Sequence, residues 1–178
     1  MTLSDGEDLM ANSATKPNQP VPLDIGINRG DRKTLAELLG TALANTYVLY
    51  AKVQGFHWNV TGPLFYSVHK STEEQYEDLA ASIDEIAERI RAIGFKAPTT
   101  LGRFVKDADV QEETSNPDAS EMIRMLVHDH ELVAKSLREA VEEADKLEDV
   151  FTADLLTSRI GKHEQYAWML RAMVERSA

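Results

Sequence analysis

Cysteine is absent from the 178 residues, which removes disulfide frameworks, thiolate metal sites and thiol nucleophiles together. Carboxylate and imidazole are left as the ligand chemistry. Long apolar runs are absent as well. No stretch approaches the ~18 residues of a membrane span, and the first residues lack the basic-then-apolar order of a secretory leader. The expectation is a cytoplasmic location with no membrane partner. Basic charge is in deficit: 19 Lys+Arg stand against 30 Asp+Glu, a net charge of −11, which repels polyphosphate backbones and attracts cations. Free nucleic acid is a poor default partner. What remains is an ordinary globular composition, 43 % hydrophobic and 28 % charged, long enough for one domain that buries about 70 % of the surface its unfolded chain would expose.

Proline and glycine are few, and their places punctuate the chain. Pro17, Pro20, Pro22, Gly26 and Gly30 break a polar stretch, so residues 1 to 30 read as a flexible arm and 31 to 178 as the folded domain. Thr34 followed by Glu37 resembles a capping box, and Leu35, Leu38, Leu39, Ala42, Leu43, Thr46, Tyr50 and Val53 recur at helical spacing, predicting a first helix over about 34 to 59. Gly62-Pro63 ends it. Val68, Leu79, Ile83, Ile86 and Ile90 mark a second helix that stops near Gly94. The segment from Lys96 to Asn116 is too long for a bare turn and has room for a short helix around Leu101 to Val105. Asp118 and Glu121 open a third long helix that runs to about 146, and a fourth starts from about Thr152. Four long amphipathic helices without a convincing strand predict an all-α four-helix bundle, with a short extra helix in the connection between the second and third.

The second helix carries His69, Glu73, Asp84 and Glu88. At 100° per residue these fall at about 0°, 40°, 60° and 100°, on one face. Such a stripe is usually a solvated surface, but its residue types are those of a metal site. Glu73 and Asp84 are about 16 Å apart along the axis, whereas metal–ligand bonds are about 2 Å, so one helix cannot bring both pairs to one metal. Two copies crossing antiparallel about a two-fold near Asp78 can, and this predicts a site at an isologous interface in a homo-oligomer. The rival arrangement, a di-metal centre inside one bundle, uses Glu-x-x-His motifs. None of His57, His69, His128, His130 and His163 has a glutamate three residues before it, which disfavours that centre.

The run Phe56-His57-Trp58-Asn59-Val60-Thr61-Gly62-Pro63-Leu64-Phe65, then His69, then Asp84-Glu85-Ile86-Ala87-Glu88-Arg89-Ile90, closely resembles the Dps family of mini-ferritins. The resemblance covers about residues 34 to 176, including Thr152 to Leu156 and the ending from His163-Glu164 to Trp168-Met169-Leu170-Arg171-Ala172. It implies a ferritin-like bundle and an iron-oxidising centre between subunits, with His57, His69 and Glu73 from one and Asp84 and Glu88 from its partner. It also implies Fe²⁺ as substrate at up to two ions per centre, with zinc as a competitor. Hydrogen peroxide would be the oxidant in preference to oxygen, and a hollow dodecamer would store the ferric product. Glu73 stands where many members carry Asp, a departure that bears on the affinity for the second iron.

Other groups receive blander readings. Taken alone, His57 is an interface histidine on the apolar stripe of the first helix; the resemblance makes it a ligand. Trp58 and Trp168 match family tryptophans and are read as packing residues. His128-Asp129-His130 sets two histidines about 200° apart on a helix, and the group is read as surface. His163-Glu164 is assigned packing or capping bonds. The acidic group Asp145, Glu148, Asp149 and Asp154 reads as a solvated corner, but in the family this region lines three-fold pores for iron entry. Asp145 and Asp154 match two pore positions, and Val150 stands where another acid is common. The family name also points to DNA compaction as the alternative role. Tails that serve it need basic residues, and residues 1 to 33 set Lys16, Arg29, Arg32 and Lys33 against Asp5, Glu7, Asp8, Asp24 and Asp31. DNA binding through the arm is not expected.

Overall fold

The computed structural model describes residues 22–175, which form five helices and, among the described residues, no strand. The helices are α1 (Arg29–Asn59), α2 (Phe65–Ala92), α3 (Leu101–Asp107), α4 (Ala119–Lys146) and α5 (Val150–Val174). Among the described residues, no helix is long and apolar enough to cross a membrane. Of the arm expected over residues 1 to 30, residues 1 to 21 lie outside the described residues, 22 to 28 are not helical, and 29 and 30 open α1.

Caps and turns set the boundaries. α1 begins earlier than the Thr34–Glu37 pattern indicates, because Asn28 is its cap: the Asn28 side chain accepts from the Asp31 backbone N–H at 3.0 Å. Glu37 instead pairs with Lys33 across one turn. A long-range contact supports the earlier start, since the buried Arg32 donates to the carbonyls of Ile27 at 2.9 Å and Ile93 at 2.8 Å. α2 closes with the two reversed bonds of a Schellman end, Phe95 N–H to Ile90 O and Gly94 N–H to Arg91 O. Gly94 takes the left-handed conformation that this end requires, φ 94°. Asp118 and Glu121, expected to open α4, do so through a capping box.

α1 pairs with α2 and α4 with α5, each across a short link, while the crossover from α2 to α4 carries α3 over α1. This is the four-helix bundle with one extra helix that the periodicity predicts. The core is Leu35, Leu39, Leu43, Leu49, Leu79, Ile86, Ile90, Ile123, Leu126, Leu137 and Leu156, all fully buried; each such side chain contributes roughly 1.5–3 kcal/mol. Tyr47 of α1 stacks on Phe104 of α3, ring centroids 4.4 Å apart, which seats the extra helix. Ion pairs clamp the helices together: Lys52 of α1 to Asp129 of α4, and Arg159 of α5 to the half-buried Asp78 of α2.

Candidate metal centre

His57 lies in the last turn of α1 and His69 in the first turns of α2, joined by the turn at Gly62-Pro63. Gly62 has φ 88°, which a residue with a Cβ rarely adopts, and the chain reverses there so that the two rings stack at 3.8 Å. Each ring bonds the other's backbone: His57 Nδ1 to His69 O and His69 Nδ1 to His57 O, both 2.9 Å. A carbonyl oxygen only accepts, so each Nδ1 bears a proton, and in the neutral imidazole the lone pair sits on Nε2. Rings fixed in this way are what a metal ligand needs, with the other nitrogen held in a definite tautomer. Tyr76 sets its ring edge against His57 and Phe65 stacks on His69.

Glu73 follows His69 by one turn of α2 and is near enough to both histidines to feel their charge. A hydrogen bond from Lys70 holds the Glu73 carboxyl below its usual range, with the Lys70 charge and the two histidines adding to the effect. Asp84 and Glu88 are exposed further along the same helix, about 16 Å and more from Glu73 by helical rise. One chain therefore brings together His57, His69 and Glu73 and leaves Asp84 and Glu88 apart. Among the described residues, no group of three or more ligand side chains in a single chain is placed to hold a metal ion. The candidate ligands thus fall in two groups, His57, His69 and Glu73 at the α1–α2 turn and Asp84 and Glu88 farther along α2.

A ferritin-like domain model matches residues 36–178. Among curated proteins, the DNA protection during starvation protein 2 of Bacillus anthracis is 37 % identical over 142 residues, covering 80 % of this chain and 97 % of that protein. A low-temperature-induced protein of Nostoc is 39 % identical over 155 residues, covering 86 % and 87 %. Among solved structures, a Dps protein of Vibrio cholerae, described as a member of a broad superfamily of ferritin-like diiron-carboxylate proteins, aligns with a TM-score of 0.82 at 31 % identity. That alignment covers 89 % of this chain and all of the other. The chain belongs to the Dps family of mini-ferritins.

In this Dps protein the α4–α5 corner is acidic but not uniformly so. Asp145, Glu148, Val150, Ala153, Asp154 and Thr157 line an open depression. Asp149 is not part of that surface: it is buried, caps α5 through the Thr152 N–H, and takes two bonds from Arg89 at 2.7 and 2.6 Å. Burial raises its pKa, but Arg89 and Thr152 outweigh this and hold it below the ordinary value. A separate recess of about 340 Å³ between α1, α3 and the segment before α4 contains none of the candidate ligands.

Two readings need correction. His128 is exposed as expected, but Asp129 and His130 are buried, Asp129 against Lys52 and His130 against His163 and Gln75. Residues 200° apart can put one end in solvent and the other in the core; His130 shares the apolar stripe of Leu126, Val133 and Leu137, and that spacing was the available signal. His163 does make the packing bonds assigned to it. Trp58 and Trp168 do not pack within the chain: they are 68 % and 64 % exposed. Phe65 and Tyr66, which open α2 across the turn from Trp58, are exposed as well.

Proposed function

We propose that this protein is a cytoplasmic ferroxidase and iron store, in which His57, His69 and Glu73 of one subunit and Asp84 and Glu88 of its partner form each iron-oxidising centre. The observation that carries this reading is the reciprocal His57–His69 lock, which presents two Nε2 lone pairs beside a carboxylate. Negative potential at Asp145 and Asp154 draws Fe²⁺ inward through the pores. Two Fe²⁺ each give one electron to hydrogen peroxide, whose O–O bond breaks, and hydrolysis of the Fe³⁺ yields oxyhydroxide and releases four protons. Oxygen serves as a slower oxidant and zinc as a competitor for the ligands. The mineral collects inside a dodecamer.

DNA compaction is the second reading, favoured by the starvation-protection name of the Bacillus anthracis relative and opposed by the net charge of −11. Anaerobic Fe²⁺ titration, followed by separate peroxide and oxygen pulses monitored optically, tests the first reading. Asp84→Ala with Glu88→Ala is expected to slow oxidation at least ~100-fold, since loss of supporting groups alone weakens metal sites 10–100-fold. Unchanged oxidation in an assembled, helical double variant would remove the proposed site.

A further inference from the structure

Away from the candidate centre, α4 and α5 meet through two histidines inside the bundle. His130 Nδ1 and His163 Nδ1 are 2.9 Å apart, and both residues are buried, His130 completely. On its far side His130 Nε2 is 3.0 Å from Gln75 Oε1 of α2. The Gln75 amide is oriented by Ser71, to whose hydroxyl oxygen Gln75 Nε2 donates at 3.0 Å. Polar accounting then leaves one order. Gln75 Oε1 accepts, so His130 Nε2 carries a proton; neutral His130 offers Nδ1 as acceptor, and His163 Nδ1 must donate to it. The chain from His163 to His130 to Gln75 to Ser71 runs in one direction across three helices.

A second proton on His130 has no place in this order. It would put two N–H donors head to head over 2.9 Å and a cation in a site closed to water. Of the surrounding charges Arg159 opposes it, and the opposing pull of Asp78 is the smaller. α5 contributes the Arg159 guanidinium and the Tyr166 hydroxyl, the latter kept neutral by burial, with a pKa pushed up to about 12. α2 contributes Asp78, already engaged by both Arg159 nitrogens at 2.9 and 2.6 Å. The charge that α1 brings to this stretch of α4 is Lys52, paired with Asp129. Burial first, then Arg159, push His130 down to about 3. Burial, His130 and Arg159 likewise hold His163 well below its ordinary value.

We propose that the His130–His163 pair is an acid-operated latch between α4 and α5, closed while both imidazoles are neutral and forced open when they take up protons. Both groups titrate near 6.5 in an unfolded chain and much lower in the folded one. Below pH ~6.5 the unfolded state therefore binds more protons, so the stabilisation is complete above that pH and is lost as pH falls toward the folded values. With two protons involved, the unfolding constant rises up to ~100-fold per pH unit. Between pH ~6.5 and ~5 ordinary carboxylates add little.

The test is denaturant unfolding of the full-length protein at fixed protomer concentration from pH 7.5 to 5, beside the variant His130→Leu/His163→Leu/Gln75→Leu, which leaves no orphaned partner. His57, His69 and His128 are common to both and cancel in the comparison. The wild-type unfolding constant should gain about 60-fold over the variant between pH 6 and pH 5, with each imidazole titrating near 6.5 in the unfolded chain; parallel pH profiles would overturn the latch. Should the variant fail to fold, imidazole C2 hydrogen exchange on the wild-type assembly, resolved by mass spectrometry, decides. His130 and His163 should then stay unexchanged at pH 5, and ordinary titration of the pair overturns the proposal. Neither measurement depends on iron chemistry.

Discussion

The His57 and His69 rings depend on each other's backbone carbonyls, so neither imidazole is oriented independently of the other. This mutual hold was not legible in the sequence: the motif marks both residues, but reciprocity requires the Gly62 reversal to bring residues twelve apart into stacking contact. Gly94 carries a comparable demand at the other end of α2. A Cβ there would lie 2.8 Å from Arg32 Nη1 and 2.9 Å from Leu23 Cδ2, at φ 94°. Gly94→Ala is expected to destabilise the protein by about 1–3 kcal/mol, measured by denaturant unfolding, and to loosen residues 22 to 28, read as faster amide exchange there. Stability within a few tenths of a kcal/mol of wild type would show that Arg32 and Leu23 yield freely.

Elements were read well where the cause was local and poorly where it was not. The start at Asp118, the break at Gly62-Pro63 and the stop at Gly94 lie within a few residues of what they control, and each is observed. The start of α1 escaped because Thr34–Glu37 is an equally good local pattern. Asn28 prevails where Arg32 ties the preceding turn to Ile93, 61 residues on. The α4–α5 link shows an element under strain: Glu148 takes φ 56° at a Schellman end, with Asp149 N–H on Ala144 O and Glu148 N–H on Asp145 O. A non-glycine residue in this region is strained by about 1–2 kcal/mol, and its carboxylate faces the acidic depression. Glu148→Gly should raise stability by roughly 0.5–1 kcal/mol, since glycine loses part of the gain to backbone entropy, while slowing iron uptake at low Fe²⁺. A variant both less stable and equally fast would contradict the strain and the pore reading together.

At the scale of the whole molecule, charge and symmetry carry the account. In the proposed dodecamer, twelve copies of a chain at −11 would meet a phosphate backbone with repulsion, screened beyond ~8 Å at physiological salt. A duplex gel shift at ~150 mM salt without divalent metal should show no binding. A shift that vanishes on removing residues 1 to 30 would mean that local arm charge outweighs the total. Symmetry matters more: the bundle was legible from periodicity, while the proposed sharing of His57, His69, Glu73, Asp84 and Glu88 between two subunits needs a mate outside the chain. Complementation measures this most directly. A His57→Ala/His69→Ala subunit and an Asp84→Ala/Glu88→Ala subunit should each assemble and oxidise Fe²⁺ slowly. Co-assembled at random, half the dimers are mixed and each of these holds one intact site, so activity should recover to about a quarter of wild type. Mixed assemblies that stay as inactive as their parents would contradict a centre shared across the two-fold.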